Sequence, residues 1–127
     1  MIRFQIFGET PSKKNVNKFN AKTKRVYKDA HFLEWHSDAM IQLNSQLARI
    51  VPRPSLIDSP VIISIDFYHG NLIRRDSDNQ VSTIMDLLQD SKVLSDDNWQ
   101  IVRQIHVRNL YEKNEARCLI EIEDYFD

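Results

Sequence analysis

Apolar Ile2, Phe4 and Ile6 alternate with polar Arg3 and Gln5, the two-residue period of a strand with one buried face. Gly8 and Pro11 end that run. From Thr10 to Thr23 the periodicity disappears, which predicts a long loop followed by a short extended piece at Arg25-Val26-Tyr27. The period then becomes helical. Phe32, Leu33, Trp35, His36, Met40, Leu43 and Leu47 recur on one stripe between Asp29 and Ile50, uninterrupted by Gly or Pro. Pro52 and Pro54 stop this helix, because each disfavours helical backbone in the residue before it. Val61 to Tyr68 is a β-branched run that predicts a buried central strand. A second helix is expected from Asn79 to Gln89, capped by Asp78 or Ser77, with Val81, Ile84, Met85 and Leu88 inward. Trp99 to Tyr111 and Ala116 to Tyr125 alternate again and predict a β-hairpin through Glu112–Glu115. The order β-loop-α-β-α-β-β implies an α+β fold, a small mixed β-sheet with two helices packed on it.

The length of 127 residues fits a single domain spanning the chain. No apolar run approaches a membrane span, so no membrane partner is expected. The opening residues are too polar for a signal peptide. Cys118 is the lone cysteine; it lies in an apolar run and reads as a core residue in a reducing cytosol. His31, His36, His69 and His106 show no ligand spacing. His36 falls on the apolar stripe and reads as a core side chain, and His69 stands beside the acidic region without visible partners.

A formal net charge of -1 decides nothing about nucleic acid, but its distribution does. Between Thr10 and Lys28 there is no acid, while Lys13, Lys14, Lys18, Lys22, Lys24, Arg25 and Lys28 are interleaved with Asn15, Asn17, Phe19, Asn20 and Tyr27. Such a segment can neutralise phosphates and stack on bases; the plain alternative is a solvated loop. Further on, Arg75-Asp76-Ser77-Asp78-Asn79 is followed by Asp86 and by Asp96-Asp97. Crowded carboxylates repel one another unless a cation sits among them, and a hard divalent ion is the usual one. Asp78, Ser82 and Asp86, four apart, share one helix flank. Helix capping accounts for one of the first acids, and an acidic turn accounts for Asp96-Asp97. An EF-hand is excluded, since Val81 and Leu87 stand where its glycine and glutamate belong. If the carboxylates converge, the chemistry they fit is metal-assisted attack of water on a phosphodiester, with one ion or two.

Pro11-Ser12-Lys13-Lys14-Asn15, the long helix, Arg75-Asp76-x-Asp78-Asn79, Asp86-x-Leu88 and Asp96-Asp97-x-x-Gln100-Ile101-Val102 together resemble the RusA-type Holliday-junction resolvases. These are small phage and bacterial endonucleases that cut four-way DNA junctions. The resemblance implies a Mg²⁺-dependent endodeoxyribonuclease of recombination and repair, with Mn²⁺ as a substitute ion. It also implies a homodimer acting on branched DNA in a bacterial or phage-infected cytosol. Asp76, Asp78 and Asp97 match the family's catalytic, metal-associated acids. Lys13, Lys14, Asn15 and Arg75 are expected on the DNA backbone, with Asp86, Asp96 and Ser82 as accessory positions. One departure stands out: the family commonly carries a catalytic lysine one turn after the second acid, where this chain has Ser82. Two alternatives therefore stay open, a junction-binding protein with weak or lost cleavage and a general nuclease of replication or recombination intermediates.

Overall fold

The computed structural model describes residues 1–12 and 17–127, the strands at 17–20 and 25–28 by their backbone alone. The expected DNA contacts Lys13, Lys14 and Asn15 lie outside the described residues. The elements are β1 (Ile2–Phe7), β2 (Asn17–Asn20), β3 (Arg25–Lys28), α1 (Ala30–Ala48), β4 (Val61–His69), α2 (Ser77–Asp90), β5 (Val102–Tyr111) and β6 (Arg117–Asp124). This is the α+β architecture expected; β3 covers the extended piece expected at Arg25-Val26-Tyr27, and β2 is an addition to the stretch read as loop. β2 and β3 pair antiparallel as a separate two-stranded sheet.

The main sheet has the order β1-β6-β4-β5. β6 runs antiparallel to both β1 and β4, and β5 runs parallel to β4. The expected hairpin of the last two strands is therefore incorrect, because β4 lies between them. Alternation reveals which face of a strand is buried; it carries no information about which strand lies alongside. The chain from β5 to β6 instead arches over the end of β4, where the Glu112 and Asn114 amides donate to the His69 and Gly70 carbonyls at 2.9 and 3.0 Å. Gly70 permits this crossing, since a Cβ there would stand 3.1 Å from the Ala116 nitrogen.

One face of the sheet carries the core. Phe4 and Ile6 of β1, Ile63, Ile65 and Phe67 of β4 and Ile120 of β6 pack beneath Trp35, Ala39, Leu43 and Leu47 of α1 and Ile84, Leu87 and Leu88 of α2. Each large apolar side chain buried there contributes roughly 1.5–3 kcal/mol against exposure. Cys118 is buried in this core, and burial pushes its thiol up to about 12, which leaves it unreactive. On the opposite face Arg108 reaches across from β5 to grip Asp66 of β4 through two hydrogen bonds of 2.9 and 2.7 Å. Those bonds hold the Asp66 carboxyl below its ordinary value.

α1 begins where Asp29 accepts hydrogen bonds from the His31 and Phe32 amides, the usual N-cap arrangement. It also closes the outer edge of β1. Gln46 exchanges bonds of 2.9 and 2.7 Å with the Gln5 backbone, and Gln42 exchanges bonds of 2.8 and 3.3 Å with that of Phe7. His36 is not the core side chain expected: it is half-buried, stacks on Phe32 and meets Asp90 at 2.9 Å. It thus ties α1 to the C-terminal end of α2. No helix among the described residues is long and apolar enough to cross a membrane.

Candidate active site

β4 ends at His69, and the next seven residues lead into α2. The helix starts earlier than its apolar stripe predicts, at Ser77, and the N-cap is Asp76 rather than Asp78 or Ser77. Asp76 has the extended backbone of a cap residue (φ -88°, ψ 120°), yet its carboxylate makes no capping bond. Capping therefore does not account for this acid. Asp78 follows in the first turn, exposed like Asp76. Both carboxylates stand at the positive end of the helix dipole, which favours negative charge there.

What holds this corner is a polar network centred on Glu9, just past the end of β1. Its carboxylate accepts from His69 Nδ1 at 3.1 Å, from Arg75 at 3.2 Å and from Gln80 Nε2 at 3.2 Å. His69 Nε2 meets Asn109 Oδ1 at 2.9 Å, and Asn109 Nδ2 donates to Ser77 Oγ at 3.2 Å. Arg75 also donates to the Ile73 carbonyl and to Asn71 Oδ1, at 3.0 and 2.9 Å, and its side chain is only 18% exposed. Gln80 is buried and donates to the Thr10 carbonyl at 2.7 Å. The loop carrying Asp76 is thus braced from β1, β4 and β5 at once. Glu9, Gln80 and Asn109 were not found from sequence, and His69 lacked partners there. Their meeting depends on sheet order: β6 pairs Phe7 and Tyr68 with the same Arg117, which brings the ends of β1 and β4 together.

Ser82, at the position of the expected lysine, is exposed, and its hydroxyl donates to the Asp78 carbonyl at 3.1 Å. Asp86 lies one turn further along α2, half-buried. Lys92 follows the C-terminal end of α2, so within its own chain it does not stand in for the lysine beside Asp78.

Asp97 is elsewhere. Ile57 and Leu94 form a bridge just before β4, and the Asn98 carbonyl accepts from Val102, which faces Val61 at the start of β4. Asp76 sits at the other end, where Asn109 and Phe67 are paired. The 14 residues of α2 separate these two ends by about 21 Å. A single chain therefore brings Asp76 and Asp78 together and leaves Asp97 apart. Asp96 and Asp97 form an exposed turn in which the Asp97 amide donates to Asp96 Oδ1 at 2.7 Å. That bond, with others from Asn98, holds the Asp96 carboxyl below its ordinary value. Among the described residues no group of three or more His, Cys, Asp or Glu is arranged to hold a metal ion. Asp76 and Asp78 nonetheless have the donor chemistry for a hard divalent cation, which is commonly held by one or two carboxylates plus water and substrate phosphate.

The family model for the endodeoxyribonuclease RusA matches residues 9–123, and the chain belongs to that family of endonucleases. It is 23% identical over 118 residues to the crossover junction endodeoxyribonuclease RusA of Aquifex aeolicus, covering 93% of this chain and 88% of that protein.

Proposed function

We propose that this protein is a Mg²⁺-dependent, structure-selective endodeoxyribonuclease that resolves Holliday junctions, with Mn²⁺ able to substitute, and that it works as a homodimer. The observation that carries the reading is the unengaged carboxylate of Asp76 at an N-cap, beside Asp78, in a chain of this family. Asp76 and Asp78 of one subunit hold the ion, and Asp97 of the second copy completes the acid set across a two-fold axis. The bound ion would polarise a phosphate oxygen and lower the pKa of a water. Asp97 orients that water toward the phosphorus and takes its proton. Arg75, with Nε and one Nη2 hydrogen not engaged by its loop acceptors, donates to a phosphate oxygen. Lys13, Lys14 and Asn15 follow the DNA backbone, a role that fits their composition. A four-way junction is nearly two-fold symmetric, so paired sites match its paired cuts.

The test is complementation on a synthetic four-way junction. Asp76→Asn and Asp97→Asn are each expected to be inactive in Mg²⁺. Mixed together they regain nicking, because half of the heterodimer's sites then contain intact Asp76, Asp78 and Asp97. Nicking by either variant alone, or none on mixing while the wild type cuts, would overturn the shared site. A wild type that leaves the junction intact in both Mg²⁺ and Mn²⁺ would overturn the nuclease reading.

Ser82 supports a second reading, a junction-binding protein with weak cleavage, because its hydroxyl is turned back on its own helix and brings no cation to Asp78. Tight junction binding with slow cutting, and faster cutting by Ser82→Lys, would select this reading. A nuclease acting equally on flaps, linear duplex and junctions would be distinguished in the same assay.

A further inference from the structure

Between Asp76 and Asp78 stands Ser77, and its hydroxyl has one partner among the described residues: Asn109 Nδ2 of β5 donates to Ser77 Oγ at 3.2 Å. Asn109 is held in turn by His69, whose Nε2 lies 2.9 Å from Asn109 Oδ1. His69 Nδ1 faces both carboxylate oxygens of Glu9 at 3.1 Å. The donors and acceptors of this row determine one another. The Glu9 carboxylate, paired with Arg75, only accepts, so Nδ1 carries a proton. With the carbonyl end of Asn109 on Nε2, that nitrogen carries a proton too, and the amide end is left for Ser77. A hydroxyl oxygen that accepts from Asn109 keeps its own hydrogen and points it away from Asn109.

That hydrogen has a place to act. Ser77 is the first helical residue after the Asp76 cap, where the leading amides of α2 lack intrahelical acceptors and the helix dipole favours an anion. Ser82, one turn further on, spends its hydroxyl on the Asp78 carbonyl. Ser77 is the hydroxyl at this end whose hydrogen is not spent on the protein.

We propose that Ser77 is a further catalytic residue, its hydroxyl donating to a non-bridging oxygen of the phosphate engaged at Asp76 and Asp78, and that Asn109 and His69 are positioning residues that fix the direction of its proton. The role of Ser77 rests on the nuclease reading above; the row of hydrogen bonds does not. The row also has a second setting. Once Nε2 gives up its proton, its lone pair opposes Asn109 Oδ1 and the amide turns over. Nδ2 then donates to His69, and Oδ1 takes the Ser77 hydrogen away from the substrate. The charged groups at His69 are Glu9, just past β1, and Arg75 of the loop, which shares that carboxylate with Gln80 of α2. Phe67 of β4 stacks on the ring, and Glu112, whose amide donates to the His69 carbonyl, gives its carboxylate to Arg117 instead.

The experiment uses the whole protein, with a synthetic four-way junction in Mg²⁺. Ser77→Ala is expected to lower single-turnover cleavage about tenfold with junction affinity unchanged, and Ser77→Thr, which keeps the hydroxyl, to restore most of the rate. Asn109→Asp keeps the shape of the side chain but has no donor, so it draws the Ser77 hydrogen to itself. It is expected to cost the same factor, and the double variant Ser77→Ala, Asn109→Asp to be no slower than either alone. The deficit of Ser77→Ala should narrow as pH rises and the amide turns, which a loss of packing would not do. A readout without DNA is the side-chain amide resonance of Asn109, expected to titrate together with the His69 ring by NMR and to stay flat in His69→Gln. Wild-type cleavage by Ser77→Ala, or additive losses in the double variant, overturns the role of Ser77. Asn109 resonances indifferent to His69 overturn the row. If they follow His69 while the wild type leaves the junction uncut in both Mg²⁺ and Mn²⁺, the row stands and the nuclease reading fails, taking the catalytic role of Ser77 with it.

Discussion

At the N-terminal end of α2, Glu9 just past β1, His69 of β4, Asn109 of β5 and Gln80 of the helix itself join Arg75 of the loop to fix the turn that bears Asp76. At the C-terminal end, Asp96 and Asn98 accept from the amides of their own turn, and every residue from Ser95 to Gln100 is exposed. Both ends carry carboxylates, but only one has a built surround. A carboxylate positioned by a network can impose geometry on what it binds; one on a bare turn takes its geometry from what arrives. The difference fits a division of labour in which the braced end of one subunit receives the bare end of another.

The sharpest way to break this comparison is to remove one acid from each end. Asp78→Asn and Asp97→Asn are each expected to lower junction cleavage on the order of 10²-fold or more, with junction affinity changed only a few-fold in a gel-shift titration. A loss confined to Asp78→Asn would detach the bare end from the site. Glu9→Gln tests the bracing itself. Cleavage rate should fall roughly tenfold to a hundredfold while affinity holds, because Arg75 and His69 lose their shared carboxylate; a wild-type rate would make the network ornamental to catalysis.

Smaller effects concern stability. Gln80→Ala removes the donors to Glu9 and the Thr10 carbonyl and should cost about 1–3 kcal/mol in urea unfolding. At the other end, Lys92 holds a left-handed conformation (φ 63°) just past α2, the position where glycine is preferred. Lys92→Gly should therefore stabilise the fold by up to about 1 kcal/mol, measured the same way; destabilisation would mean that the side chain holds the turn. The smallest effect is that of Asp96. Its carboxyl is held below the ordinary value of 3.8 by the Asp97 amide, so its contribution is present above that pH and is lost as pH falls below it. Comparing urea midpoints at pH 7 and pH 3, Asp96→Asn should lose slightly less than the wild type, and an equal loss would remove the turn from the acid response.

Both helices and the strands β1 and β4 were legible because apolar period is a local property: Trp35, Leu43 and Leu47 fall on one stripe whatever surrounds them. The pairing of β4 with both β5 and β6 was not, because alternation is the same in a hairpin and in strands separated by a third. That single unread fact hid most of the polar network around Glu9. Glu9 and His69 are 60 positions apart and meet only through the register of β6. Asp97 looks adjacent to Asp76 and Asp78 in sequence, yet a parallel β5 requires the chain to return along α2 before the strand begins. The placement of Asp76 and Asp78 at the start of α2 was legible, since two acids before an apolar helical stripe exceed what one cap uses. His36 misled because a residue on the edge of an apolar stripe faces the neighbouring helix, here Asp90, as readily as the core.

The glutamine clasp on β1 also bears on how far assembly can go. A sheet with two available margins is a monomer unit for a fibre, each added copy presenting a fresh margin to the next. Here Gln42 and Gln46 occupy the outward amides and carbonyls of Gln5 and Phe7, which a further strand along β1 would need. The opposite margin, β5, has no strand of the described residues along its outer side. Gln42→Ala together with Gln46→Ala would expose the blocked margin, and the consequence to look for is not slower cutting but concentration-dependent growth of long, unbounded species.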